Sequence, residues 1–458
     1  MTAPTDKNRL YVEVSADAMQ AVLKLPRSGY KLTIEEVTKA LQEASVDYGV
    51  NDIILEWLVK STPVTTEIVV ANGLPVRLGK TGWIDYKFDT EAASHAGKPI
   101  HTAQYKLQNV EAGTVLAVRF PAVQGSDGRN VYGQIVEPPP VKDLKIVAGD
   151  NVKFSDASSC ELVAVVAGCV HYDPLGKVSV LDHLTLACDV DNAVGNIEFY
   201  GDLTIRGDVK SGFEVKTRNK LVVEGTVEEA ILEAEAIEIR GGFVGPGEGV
   251  ARAKTEFSAL FVINQTVEAG QDIKIFGEVR AAVLNAGRSI FIQGTKGVVL
   301  GGRLEAHQSI EANVLGNPIS YPAQVTVGRP KELLQQLAVL ENEITVIRDR
   351  MAVMRLQFGF PPDLDPNLEN PKFAHDTPAG RSFELLRKVG TKLQITQQEY
   401  EHLFKQLDDH SKSCFVRVKK ECYPGILLQI GTLQRTVEER TGPAVFRISE
   451  GDIIHVRE

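Results

Sequence analysis

Five cysteines and nine histidines are the side chains best suited to metal or nucleophilic chemistry, and their spacing decides what they can do. Cys160, Cys169, Cys188, Cys414 and Cys422 include no CxxC pair, so neither a thiolate zinc site nor a disulfide framework is expected. His171 follows Cys169 by two residues, but a metal needs a third ligand that the local sequence does not offer. His95 and His101 lie six apart and His183 stands alone, with no HxH or HExxH to join them. Two glycine-rich stretches invite a phosphate or dinucleotide reading. Gly79-Lys80-Thr81-Gly82 lacks the GxxxxGK(S/T) spacing and runs into the strand pattern Trp83-Ile-Asp-Tyr-Lys-Phe88. Gly241-Gly-Phe-Val-Gly-Pro-Gly-Glu-Gly249 follows a strand, but Pro246 and the lack of a long helix after it spoil the fingerprint. A phosphate nest needs N–H groups converging at a helix start, so both stretches read as turns. No nucleophile, base and orienting group can be named together, and no catalytic, cofactor-binding or metal site is expected.

The elements that would have to position any chemistry are more legible. At 458 residues the chain exceeds one ordinary core, and 43% apolar with 24% charged residues is globular composition. Fifty Lys and Arg against sixty Asp and Glu give a net charge of −10, unsuited to non-specific duplex binding. No nucleic-acid partner is expected. The amino terminus has no signal-peptide pattern, and no run of 18 apolar residues occurs, so a cytoplasmic protein without a membrane-spanning segment is expected.

Residues 10–27 alternate like one or two strands. Thr33 with Glu36 three residues on is a capping-box pattern ahead of the stripe Val37, Leu41 and Ala44. Asn51–Lys60 reads as a second short helix, and 65–71 as a strand ended by Asn72-Gly73. From 100 to 180, short apolar pieces punctuated by Gly and Pro predict an all-β module.

From Ile197 a repeat takes over: GDLTIRGDV (201–209), NKLVVEGTV (219–227), EAIEIRGGF (235–243), QDIKIFGEV (271–279) and RSIFIQGTK (288–296). Gly207, Gly225, Gly241, Gly277 and Gly294 are separated by 18, 16, 36 and 17 residues, with a weaker piece at 257–263 inside the double interval. Alternation with a recurrent glycine is the pattern of a parallel β-helix, here with Ile237 and Ile239 inward and Glu238 and Arg240 outward. Glycine at the corners is expected to supply positive φ. The uneven period favours a right-handed over a strict hexapeptide form.

Next, Leu333, Leu337, Leu340, Ile344, Ile347, Met351 and Met354 form a heptad stripe, as do Leu386, Val389, Leu393, Thr396, Tyr400, Leu403 and Leu407. They predict an antiparallel coiled-coil hairpin with a proline-rich connection over 363–380, each arm projecting about 35–40 Å if it holds ~25 residues. After Ser411 the pattern returns to strands, which would rejoin the rod and make the hairpin an insertion.

Several of these residues match motifs of a known family. Val110-Glu-Ala-Gly113 is followed by Gly125-Ser-Asp-Gly128-Arg-Asn-Val-Tyr-Gly133, then Gly195-Asn-Ile-Glu-Phe-Tyr-Gly201 and Gly207-Asp-Val-Lys-Ser-Gly212-Phe-Glu-Val215. Lys296-Gly297-Val-Val-Leu-Gly301-Gly302 and Val327-Gly328 complete the set. Over residues 10–458 the chain resembles the flagellar assembly protein A family of bacteria. The resemblance implies a right-handed β-helix with an N-terminal region and a coiled-coil insertion. It also implies a role in flagellar assembly or motility, and a regulatory partnership with a sugar-phosphotransferase component. It supplies no catalytic residues.

The resulting expectation is a mainly β chain: a small α/β domain (1–92), a Gly-rich β module (93–190), a parallel β-helix (191–328), a helical hairpin (329–411) and strands rejoining the β-helix (412–458). Gly201, Gly207, Gly212, Gly225, Gly241, Gly277, Gly294, Gly301 and Gly302 are its structural glycines. Leu333, Leu337, Leu340, Ile344, Ile347, Leu386, Leu393 and Leu403 mark a hairpin available to a protein partner. Function is expected to be non-enzymatic, a scaffold or regulator; edge strands and coiled-coil faces both allow a homodimer. The alternative is a polysaccharide-binding or polysaccharide-modifying rod using Asp202, Asp208, Glu238, Arg240 and Lys274.

Overall fold

The computed structural model describes residues 9–94, 107–319, 322–362, 364–365 and 377–457. The chain divides into two compact units, one of residues 1–89, 113–165 and 173–178, the other of 90–112, 166–172 and 179–458. Residues 93–190 therefore contribute to both units. The physical reason is strand pairing: Val115–Phe120 joins the sheet of Trp83–Tyr86 and Ser158–Ala164, whereas Asn109–Val110 pairs with Gly168–Tyr172.

In the first unit an antiparallel sheet of Tyr11–Val14, Gln20–Lys24 and Glu67–Asn72 shares its core with the helices Ile34–Glu43 and Asp52–Lys60. The Thr33 side chain accepts the Glu36 N–H while Glu36 accepts the Thr33 N–H, which completes the capping box. Val37 and Leu41 then face Leu23 and Leu58 in one buried cluster. Residues 74–83 run beside 120–129 in a ribbon whose bridges recur every third residue: Leu74 to Arg129, Arg77 to Ser126, Lys80 to Val123 and Trp83 to Phe120. Side chains on Gly79 or Gly125 would collide with the Val123 or Arg77 carbonyl, so these glycines let two backbones touch. This ribbon replaces both the phosphate-loop and the simple-turn reading of Gly79–Gly82.

The second unit holds a β-solenoid. Nine parallel strands stack in each of two sheets, one from His183–Leu186 to Phe415–Cys422, the other from Ile197–Phe199 to Leu427–Ile430. At ~4.8 Å per step, eight steps span about 38 Å. In-register pairing stacks like on like: Leu203, Leu221, Ile237, Phe257, Ile273, Ile290 and Ile310 form one column with at most 2% exposure. A third ladder runs through Val190, Val209, Val227, Phe243, Val262, Val279, Val299 and Leu315 at the corner. Ile237 and Ile239 point inward, and Glu238 and Arg240 outward.

The corner glycines do not all act as expected. Gly212, Gly294, Gly301 and Gly302 have positive φ, but Gly201, Gly207, Gly225, Gly241 and Gly277 do not. At Gly225 a Cβ would strike the Asp208 carboxylate and the Gly207 carbonyl of the preceding coil. Asp208 in turn accepts the Thr226 N–H at 2.8 Å, repeating the bond from Asp208 N–H to Asp189 one coil earlier. Space between coils, rather than backbone handedness, fixes glycine there.

The last two strands differ from their predecessors: Ala444–Ser449 and Asp452–Arg457 turn antiparallel and end the first sheet, as Leu433–Thr436 ends the second. Inside the solenoid Gln265 is 1% exposed, and neither atom of its amide has a partner among the described residues.

Two stability measurements follow from this packing. Gly225→Ala should lower stability by about 1–3 kcal/mol through overpacking, while Gly442→Ala, with nothing within 4 Å of the added carbon, should stay within about 0.5 kcal/mol. Equal effects in denaturant titrations would refute the inter-coil account. Gln265→Leu should raise stability by about 1–3 kcal/mol by removing an unpaired buried amide; a fall in the unfolding midpoint would show that the amide is paired in solution.

Candidate functional site

The chemistry-bearing side chains are dispersed, and three of the five cysteines are buried. Cys169, Cys414 and Cys422 are at most 1% exposed. Burial pushes the Cys169 and Cys414 thiols up to about 11 and the Cys422 thiol to about 12, so they stay protonated at neutral pH and are poor nucleophiles. His183 faces the Thr185 hydroxyl at 3.0 Å. His95 and His101 lie outside the described residues. Among the described residues, no three His, Cys, Asp or Glu side chains are placed to share a metal ion.

The outward solenoid residues named for a glycan reaction are held by neighbouring coils. Asp202 accepts the Lys220 N–H at 3.1 Å, and Asp208 accepts from Thr226 and from Lys210 Nζ at 3.0 Å. Glu238 pairs with Lys220 at 2.6 Å and with Arg240, which also reaches Glu224 at 3.0 Å; Lys274 meets Glu256 at 2.9 Å. The Thr226 N–H and then Lys210 hold the Asp208 carboxyl below the usual carboxylate range, as Lys220 does for Glu238. In the second sheet Lys216, Glu233, Arg252 and Glu268 alternate in sign through successive coils. These groups stitch one coil to the next.

The solenoid is interrupted once by helix, after Ala323–Val327. Pro330 precedes the 28-residue helix Lys331–Phe358, which Gly359 ends in the left-handed conformation at φ 68°. Thr377 caps the 36-residue helix Pro378–Ser413 by accepting the Gly380 N–H. The second helix thus begins inside the stretch expected to be connection, because Thr377-Pro378 is a cap followed by proline at the first helical position. It spans about 54 Å at ~1.5 Å per residue. The solenoid ladder is unbroken across this excursion: Ile310 pairs directly with Val416, and Val325 with Leu428.

Leu337, Ile344 and Ile347 are 6–7% exposed and Leu386 is fully buried, while Leu333, Leu340, Leu393 and Leu403 are half-buried. Ile347 and Leu386 share a cluster with Met351, Phe360 and Phe383, and Leu393 packs against it. Glu343 pairs with Lys392 at 2.7 Å. The stripe is therefore buried at Leu337, Ile344, Ile347 and Leu386, and in part packed between the two helices. Sequence reasoning missed a second stripe: Val339, Val346 and Val353 recur every seven residues and are 65%, 57% and 51% exposed. Their signal was present, offset by two from Leu337, Ile344 and Met351. At the root, His410 Nε2 lies 2.9 Å from the His307 carbonyl, where Cys414 also donates, and burial holds the His307 imidazole below its usual range.

Family comparison matches residues 10–175 to the Flagellar Assembly Protein A N-terminal region and residues 182–453 to the Flagellar Assembly Protein A beta solenoid domain. The chain belongs to the flagellar assembly protein A family. No curated protein matches it, and no solved structure does. In this flagellar assembly protein A family member, the solenoid match runs through both helices and reaches the terminal strand pair. No helix among the described residues is long and apolar enough to cross a membrane.

The two valine and leucine stripes make opposite predictions. Leu386→Ala should cost about 2–5 kcal/mol of local stability and speed amide exchange in both helices. Val346→Asp, on the exposed side, should change stability by no more than about 0.5 kcal/mol. Faster exchange in Val346→Asp than in Leu386→Ala would reverse the assignment of seam and surface.

Proposed function

We propose that this protein is a non-enzymatic scaffold or regulator acting through protein–protein contacts in flagellar assembly or motility. The carrying observation is the helical arm, which leaves and rejoins a solenoid whose coil-to-coil bonding it does not disturb. Read as an antiparallel coiled-coil hairpin, it is a projecting lever with its seam filled and Val339, Val346 and Val353 free for a partner. The family supports a flagellar component as that partner. The resemblance adds a sugar-phosphotransferase component as a second candidate partner, and a cytoplasmic encounter fits a sequence with neither a signal-peptide pattern nor a long apolar run. A homodimer through the same valine stripe is compatible with this role. The coil-to-coil engagement of Asp208, Glu238 and Lys274 favours a structural use of the outward charges over catalysis.

A polysaccharide reading rests on one observation, a groove of about 480 Å³ on the second sheet. Ala269, Gly270, Ala286 and Gly287 floor it, and Arg252, Glu268, Glu305 and Lys331 stand around it.

The test is affinity capture from a bacterial lysate with the full chain, beside a Val339→Asp, Val346→Asp, Val353→Asp variant that circular dichroism shows to be folded. A defined flagellar or phosphotransferase protein retained by the first and lost, by about tenfold or more, from the second is expected. Identical capture by both would remove the arm from partner binding. Saccharide-dependent thermal stabilisation, with no protein captured, would favour the groove.

A further inference from the structure

The glycine ribbon of the first unit has a face that neither the solenoid nor the arm provides. Its two runs exchange backbone hydrogen bonds in both directions at Leu74 and Arg129, at Arg77 and Ser126, and at Lys80 and Val123. A three-residue repeat of this kind turns the chain by a third of a circle per residue, as in polyproline II, so residues three apart point the same way. The glycine files face inward, where a Cβ on Gly79 or Gly125 would strike Val141 or Pro138 of the proline run packed behind them. The bonded pairs face outward, and both side chains of each pair are exposed, as are those of the fourth pair, Trp83 and Phe120. At ~3.1 Å per residue, successive pairs stand about 9 Å apart. Each of the first three carries one cation, Arg129, Arg77 and Lys80 in turn. Arg129 lies 5.3 Å from the Tyr48 ring, and none of the three forms an ion pair among the described residues. The fourth pair is an aromatic stack, with ring centroids 4.2 Å apart and planes 6° from parallel. Residues 74–83 and 120–129 contain one carboxylate, Asp127. Asp85, two residues beyond Trp83, is taken by Lys87 at 2.5 Å.

We propose that this face docks an acidic, proline-rich segment of a partner protein in the polyproline II conformation, with a carboxylate at every third residue meeting Arg129, Arg77 and Lys80 and its prolines on Leu74, Val123 and the Trp83–Phe120 stack. Such a segment repeats at the same ~9 Å as the pairs and is already extended before it binds, so it meets three cations in register at little ordering cost. Exposed aromatic rings are the surface on which proline-rich segments dock. The net charge of −10 opposes every anionic ligand alike. At physiological salt that field is screened beyond about 8 Å, and within that distance three cations act against one carboxylate. The placing of the rings separates a peptide from a single-stranded nucleic acid. Bases need aromatic platforms interleaved with the cations, whereas here one stack ends the file and its rings cover each other's inner faces. The face belongs to the first unit, so it stands or falls without the valine stripe of the arm.

The probe is a fluorescent, acetylated peptide of five Pro-Pro-Glu repeats, titrated into the full chain at low and at physiological salt and followed by anisotropy and amide exchange. Saturable binding that slows exchange within 74–83 and 120–129 is expected, with none for the Pro-Pro-Lys counterpart. A peptide of the same composition with its glutamates in one block should bind about threefold or more weakly, because it cannot reach all three cations in register. Arg77→Glu with Lys80→Glu should weaken binding by about tenfold or more, whereas Arg77→Lys should retain most of it and the triple valine variant all of it. Circular dichroism of each variant separates lost binding from lost fold. The absence of saturable binding would overturn the proposal, as would equal binding of the block peptide or undiminished binding by the folded double variant. Displacement by an equal concentration of oligo(dT) would assign the face to nucleic acid instead.

Discussion

Coil-to-coil hydrogen bonding is the constraint on which the solenoid depends. Each coil must present its strands to the next at ~4.8 Å, so each side chain stacks on the residue in register one coil away. The column through Leu203, Leu221, Ile237 and Phe257 meets this requirement with apolar residues, and the outward column through Lys216, Glu233, Arg252 and Glu268 meets it with alternating charge. Like charges at that spacing would repel, so the alternation also penalises a register slip by one coil. The same spacing leaves no room for a Cβ at Gly225, where an aspartate from the previous coil folds over the backbone.

That constraint governs where function can reside. Asp202 and Asp208 each accept a backbone N–H of the next coil, and Glu238, Arg240 and Lys274 form ion pairs with neighbouring coils, so all five are engaged within the stack. The chain leaves the stack between Val327 and Phe415, and the parallel ladder ends at the final strands, which turn antiparallel. Side chains on the arm and on the final strands have no further parallel coil to match. The exposed valines of the first long helix lie on that arm.

Periodicities along the chain were legible in the sequence; distances across it were not. Ile237 and Ile239 alternate with Glu238 and Arg240, and this alone placed them inside and outside. The Thr33 and Glu36 pair marked its helix because a capping box is a local, three-residue device. Positive φ was the right cause at Gly212, Gly294, Gly301 and Gly302 and the wrong one at Gly201, Gly207, Gly225, Gly241 and Gly277, since a positive φ belongs to a residue whereas the collision at Gly225 involves atoms of another coil. The three-residue ribbon of 74–83 and 120–129 was missed for the same reason: its period becomes visible only when the two runs are laid side by side. The leucine stripe was legible, and the structure buries Leu337, Ile344, Ile347 and Leu386 of it, whereas the exposed valines two positions away carry the same period unnoticed.

The arm's root shows how a rigid stack can carry a projecting element without loosening. Strand Ser309–Leu315 bonds directly to Phe415–Cys422, with one register shift between Ala312 and Val314, so the coils before and after the excursion remain hydrogen-bonded. Cys414 and His410 both reach the His307 carbonyl, tying the end of the second helix to the preceding coil at a point buried from solvent. The second helix of 36 residues runs about 54 Å to this anchor at ~1.5 Å per residue. Position of the arm relative to the stack is therefore set by backbone pairing on both sides of it, which is the property a scaffold needs if it is to hold a partner in a defined place.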